Sequence, residues 1–141
     1  MFFVRGAGVA QRTTSGALVA TADLPATFAS LRGRTLQGME AFLGAAPGQR
    51  GSGVWRRRVL IENPGNGWYM LRVERHVYVE HEGEARELQY MDAEPYQVES
   101  LHADLDQEAL VAELSAELAA LTICLGYSCR GFGAFSHAFA A

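Results

Sequence analysis

Lysine is absent. All twelve basic residues of this 141-residue chain are arginine, and that absence removes three enzyme classes. Schiff-base enzymes, pyridoxal-phosphate enzymes and P-loop nucleotide hydrolases each need a lysine amine at a defined place. Cysteine is nearly absent too. Cys124 and Cys129 are too few for a disulfide framework. With His137 they make only three soft ligand candidates close in sequence, and zinc needs four ligands, or three plus water. The expectation is therefore no metal, with a buried, reduced Cys124 and a half-exposed Cys129. No long apolar run occurs: stretches such as Leu118 to Cys129 fall short of the ~18–20 residues a bilayer needs. The small apolar stretch Ala17–Val19 before the triplet Ala20–Ala22 is too short for a cleavable leader, so a cytoplasmic location is expected. The G-x-S-x-G, H-E-x-x-H and kinase signatures are all missing. Gly6 and Gly8 lack the third glycine of a dinucleotide fingerprint. No cofactor and no catalytic residue are expected.

Charge is present but unevenly placed. Residues 1–75 carry ten arginines against four acids, a net +6, and residues 76–141 carry twelve acids against Arg86 and Arg130, a net −10. An acidic chain without a basic stripe lacks the phosphate-neutralising charge that dominates nucleic-acid affinity. Nucleic acid is excluded as a partner. The halves either neutralise each other inside one domain or leave an acidic face for a basic partner.

The hydropathy pattern predicts a single domain, 1–141, of α+β class. Its single antiparallel sheet has five or six strands, covered on one face by helical segments at about 24–43 and 105–125. Short strands are expected at Met1–Val4 and Ala17–Ala22. Asp23 and Pro25 then start a helix, with Leu24, Phe28, Leu31, Met39 and Phe42 near helical spacing and Gly33 and Gly38 breaking it. Val54–Glu62 reads as a strand, and residues 63–67, Asn-Pro-Gly-Asn-Gly, read as a hairpin turn. Beyond it, Tyr69, Leu71, Val73, Val77 and Val79 share one parity, and Met70, Arg72, Glu74, His76, Tyr78 and Glu80 share the other. That alternation predicts one long strand with a buried and a wet face, broken only at Arg75. A turn at Glu82–Glu84 leads to Arg86, Leu88 and Tyr90 in alternation, and Tyr96 and Val98 beyond Pro95 suggest an edge strand. Asp104 caps a helix whose stripe runs Leu110, Leu114, Leu118, Leu121, Leu125, closed by Gly126.

Three constellations stand out. Arg56, Arg57 and Arg58 are adjacent in a strand, so they cannot all face solvent. They read either as an edge strand with an inward Arg57 or, with His76, as an anchor for an anion or ligand. His76, Tyr78 and Glu80 line one strand face, as acid–base groups do and as any solvated face does. Glu80, Glu82, Glu84, Glu87, Asp92 and Glu94, with Tyr78 interleaved, form an acidic hairpin surface.

The leading expectation is a non-enzymatic binding module, of immunity, inhibitor or effector-chaperone type, that docks a basic protein through this hairpin. The alternative is a curved-sheet domain that grips an apolar ligand with an Arg or His anchor, as an enzyme does. Phe132, Phe135 and Phe139 in an uncharged tail are expected to pack on the sheet or across a homodimer interface.

Overall fold

A computed structural model of the chain describes residues 5, 12, 14, 16–34 and 56–125. The chain divides into two compact units, Met1–Val59 and Leu60–Ala141. In the first, α1 spans Asp23–Leu31. Asp23 is its first helical residue rather than its cap. Its carboxylate reaches back to accept from Ala20 N (2.8 Å) and is also ion-paired with Arg56. The helix ends where Gly33 takes a left-handed φ of 69° and donates its N–H to Ser30 O, a conformation that costs glycine nothing. Ala17–Ala22 forms no strand; it is irregular chain ending in a turn. Met1–Val4 and the later part of the expected first helix lie outside the described residues.

The sheet holds four antiparallel strands, so the α+β class stands and the fifth and sixth strands are not found among the described residues. They are β1 (Arg58–Asn63), β2 (Trp68–Val73), β3 (His76–His81) and β4 (Arg86–Tyr90), paired in chain order. The Asn-Pro-Gly-Asn-Gly turn is a short 3-10 segment, Pro64–Asn66, closed by Gly67 at φ 64°. Gly83 and Glu84, both at positive φ, turn β3 into β4.

The expected single strand over 69–80 is a hairpin. Glu74 and Arg75 reverse the chain, and Leu71 pairs with Tyr78 and Arg72 with Val77. Partners in a two-residue hairpin differ by an odd number of positions, so parity inverts across the turn. Leu71, Val73, Tyr78 and Leu88 therefore share one face, and α2 (Glu108–Ile123) packs on it with Val111, Leu114, Leu118 and Leu121. Val77, Val79 and Gln89 lie on the other face and are buried as well.

α2 follows a 3-10 turn, Leu105–Gln107, capped by Asp104, whose side chain accepts from Asp106 N (3.0 Å). Four members of the leucine stripe behave as read. Leu125 lies past the helix end and is exposed. The segment with Tyr96 and Val98 is a turn, not a strand. The carboxylate of Glu94 accepts the backbone N–H of Tyr96, Val98 and Glu99 (3.2, 2.8 and 3.3 Å), which takes the donors a ladder would use. Those bonds also hold the Glu94 carboxyl below its ordinary pKa. Both aromatic and valine side chains there point into solvent.

No helix among the described residues is long and apolar enough to cross a membrane. Cys124 is disulfide-bonded, which corrects the expectation of a reduced thiol. Cys129 and the Phe-rich tail lie outside the described residues.

Candidate functional site

The acidic hairpin dissolves into separate internal bonds. Tyr78 is fully buried under α2, and its hydroxyl donates to Glu80 Oε1 (2.6 Å). Ser115 Oγ on α2 donates to the same oxygen (2.6 Å), and Arg86 Nε lies 3.8 Å from it. Burial first, then the bond to Glu80, raises the Tyr78 pKa to about 12. Glu82 lies against Gly67, whose carbonyl accepts from Glu82 N (2.7 Å). Glu84 is exposed in the turn. Asp92 sits beside Arg75 (3.2 Å), and Glu94 closes its own loop. Among the described residues these groups are spread over both faces and both ends of the sheet.

The expected anchors are scattered too. Arg56 pairs with buried Asp23. Arg57 is exposed and precedes the strand rather than pointing inward, and Arg58 opens β1. His76 is buried rather than on a wet face. Its ring stacks on Tyr90 with centroids 5.0 Å apart, and its carbonyl accepts from Arg72 Nη1 (3.1 Å). Burial, then Arg72, pushes the His76 pKa below its ordinary value, so this imidazole is a neutral packing group. The row His76, Tyr78, Glu80 shares a face, as alternation requires, but that face is the covered one.

The sheet brings together a different set. On the face away from α2, His81 Nε2 lies 2.7 Å from Glu87 Oε1, and Gln89 Nε2 donates to Glu87 Oε2 (2.9 Å). Both carboxylate oxygens are thus held. The bond from His81 is the first cause of a lowered Glu87 pKa. His81 and Glu87 are about a third and two-fifths exposed, whereas Gln89 is 4% exposed. Gln89 Oε1 is buried and accepts no hydrogen bond among the described residues.

Trp68 pairs directly with His81 across β2 and β3, so the two side chains stand side by side on this face. Arg72 is in line with Gln89 through Val77, two rows from Trp68, with each row roughly 7 Å from the next. Among the described residues there is no group of three or more metal-ligating side chains. On this face Val77, Val79 and Gln89 are buried, and the partly exposed polar groups beside them are His81 and Glu87, next to the half-buried Trp68.

The sequence contained one clue to this set. His81 and Glu87 lie on either side of the Glu82–Glu84 turn, which puts them on neighbouring strands. Gln89 and Trp68 had none, because their faces follow from the parity inversion at Glu74–Arg75.

No protein-family model matches the chain, and no curated protein matches it. Its fold does match solved structures. A Bacteroides thetaiotaomicron protein assigned as a sulfatase is 25% identical over 70% of this chain and 23% of its own, with a TM-score of 0.57. A 2-O glycosaminoglycan sulfatase is 26% identical over 71% of this chain and 24% of its own, with a TM-score of 0.55. A protein solved with its substrate D-glucosamine-2-N,6-O-disulfate shares the fold at 17% identity and a TM-score of 0.53. The chain spans less than a quarter of each. These likenesses to enzymes overturn the expected non-enzymatic binding module. Net charge misled because it counts acids without their internal partners.

Proposed function

We propose that this chain is the sheet-and-helix portion of a sulfatase-like hydrolase acting on sulfate esters of carbohydrates, where it helps to hold the substrate. The observation that carries the reading is the likeness, over 70% and 71% of the chain, to two structures named as sulfatases. The site chemistry agrees with it. Trp68, His81 and Glu87 are partly exposed groups that suit a hydroxylated ring, and Arg72 lies on the same face, a guanidinium of the kind that binds sulfate through N–H donors. The packed core of Leu71, Tyr78, Leu88, Leu114 and Leu118 speaks against the alternative of an apolar ligand held between sheet and helix. The disulfide at Cys124 favours an oxidising compartment over the expected cytoplasm.

Equilibrium dialysis of the chain against a 2-O-sulfated glycosaminoglycan disaccharide and its desulfated counterpart tests the reading. Saturable binding is expected, weakened at least tenfold by desulfation and weakened by added salt. Equal retention of both sugars, or of neither, would reject it.

A further inference from the structure

We infer that the chain associates with a second copy of itself, the connection from β4 to α2 on one copy docking on the outer face of α1 on the other. The inference goes beyond the hydrolase reading and does not rest on it. The β4–α2 connection displays its side chains on a fixed backbone. Tyr96 is 85% exposed and Val98 80%, and Leu105 further along is exposed as well. Beneath them the Glu94 carboxylate accepts from the backbone N–H of Tyr96, Val98 and Glu99, and Glu94 N donates to Tyr90 O (2.8 Å). The far end is moored on β4, where Leu101 N donates to Leu88 O (2.7 Å) and Leu88 N to Ser100 Oγ (3.0 Å). Gln97 is held at φ 58°, a left-handed conformation that a non-glycine residue keeps only where its surroundings impose it. A loop fixed in advance loses little freedom on docking, and tyrosine is enriched among the residues that dominate interface affinity. Residues 91–107 hold five acids and no arginine. Asp92 is taken by Arg75 and Glu94 by its own loop, which leaves Glu99, Asp104 and Asp106 exposed around the apolar side chains.

α1 carries the complementary surface. The helix buries Asp23, Ala26 and Thr27 and turns its apolar stripe outward. Phe28 is 61% exposed, and Leu31, one turn on, is exposed too. Arg32 and Arg34 follow at the helix end, both exposed and neither in an ion pair among the described residues. An apolar stripe on the wet side of a helix is a surface that awaits a partner. Setting Tyr96 and Val98 against Phe28 and Leu31 removes apolar area from water on both copies. The same pairing brings two arginines to three carboxylates, which matches the charges across the contact. Loop on loop would oppose acid to acid, and helix on helix arginine to arginine, so repulsion selects loop on helix.

Sedimentation equilibrium of the full chain tests this. At low salt the mass is expected to rise with concentration from 15.3 kDa to at least twice that value, and salt at ~0.5 M should weaken the association. Tyr96→Ala should weaken it about tenfold or more. Reversing one surface, by Arg32→Glu with Arg34→Glu or by Glu99→Arg with Asp106→Arg, should do the same. A chain carrying both reversals should recover, because the signs are exchanged and the pairing is restored, whereas damage to the fold would accumulate. A chain that stays monomeric at every concentration overturns the inference and leaves both surfaces to some other partner. Association that survives the single reversals, or that the double reversal fails to restore, overturns it as well. Should a reversed chain fail to fold, Tyr96→Ala decides alone, and an unchanged dissociation constant refutes the contact.

Discussion

Replacing Tyr78 by phenylalanine removes one hydroxyl from beneath α2 and leaves the ring in place. The ring is fully buried, so nothing changes in the apolar packing. The loss is the bond to Glu80 Oε1 (2.6 Å); Ser115 still donates to that oxygen (2.6 Å). A hydrogen bond to a charged acceptor contributes ~1.5–3 kcal/mol, and the retained serine places the expected cost at the lower end. The pH dependence is more diagnostic. In the unfolded chain the phenol ionises near its ordinary value of ~10, whereas burial and the bond to Glu80 raise it to about 12 in the fold. Between those values the unfolded chain has fewer bound protons, so stability falls as pH rises. Integration gives a loss of about 1 kcal/mol between pH 10 and 11. Urea denaturation of both proteins at pH 8, 10 and 11 measures it. The unaltered chain should lose about 1 kcal/mol more than Tyr78→Phe over the last step. Parallel stability curves would refute the reasoning, because the buried phenol would then carry no linked proton.

Other consequences follow from the same structure. Leu118→Ala opens a void between sheet and helix at a fully buried position and should cost ~2–5 kcal/mol by denaturant melts; a cost below ~1 kcal/mol would show that the helix packs elsewhere. Gly67→Ala forces a side chain into a left-handed residue, with Cβ 2.9 Å from Glu82 Oε2, and should cost ~1–2 kcal/mol; an unchanged melting midpoint contradicts the turn geometry. Burial holds His76 neutral below the ordinary histidine range, so its contribution is complete above pH ~6.5 and is lost as pH falls through the folded value. Melting temperatures from pH 7.5 to 5 should fall less in His76→Gln, and a ring that protonates at its ordinary value by nuclear magnetic resonance would contradict this.

What the sequence revealed follows from how far each signal reaches. The stripe Leu110, Leu114, Leu118, Leu121 is local and periodic, and the helix is there. Asn63 to Gly67 carries its turn in its residue types, and the hairpin is there. Glu74 and Arg75 carry no such mark: neither is Gly, Asn, Asp or Pro, the residues that punctuate turns. Without that turn the period of two ran on unbroken; Val77 and Val79 are buried as read, but on the face opposite Leu71, and His76 and Tyr78 are buried instead of wet. Tyr78 and His76 were placed in water for that reason, and the Trp68–His81–Glu87–Gln89 face stayed unassembled. The acidic ridge failed for another reason. Glu80 is bonded by Ser115, 35 residues away, and Asp92 by Arg75, partners that a count of charges along the chain does not contain.

The central claim is that β2, β3 and β4 hold a sulfated saccharide. Intermolecular nuclear Overhauser contacts between the isotope-labelled chain and an unlabelled 2-O-sulfated disaccharide test it directly. Contacts from the saccharide ring to Trp68, His81 and Glu87, the partly exposed groups on the face away from α2, are the predicted result. Saturating sugar with contacts only to residues of α2, or with none at all, would contradict it.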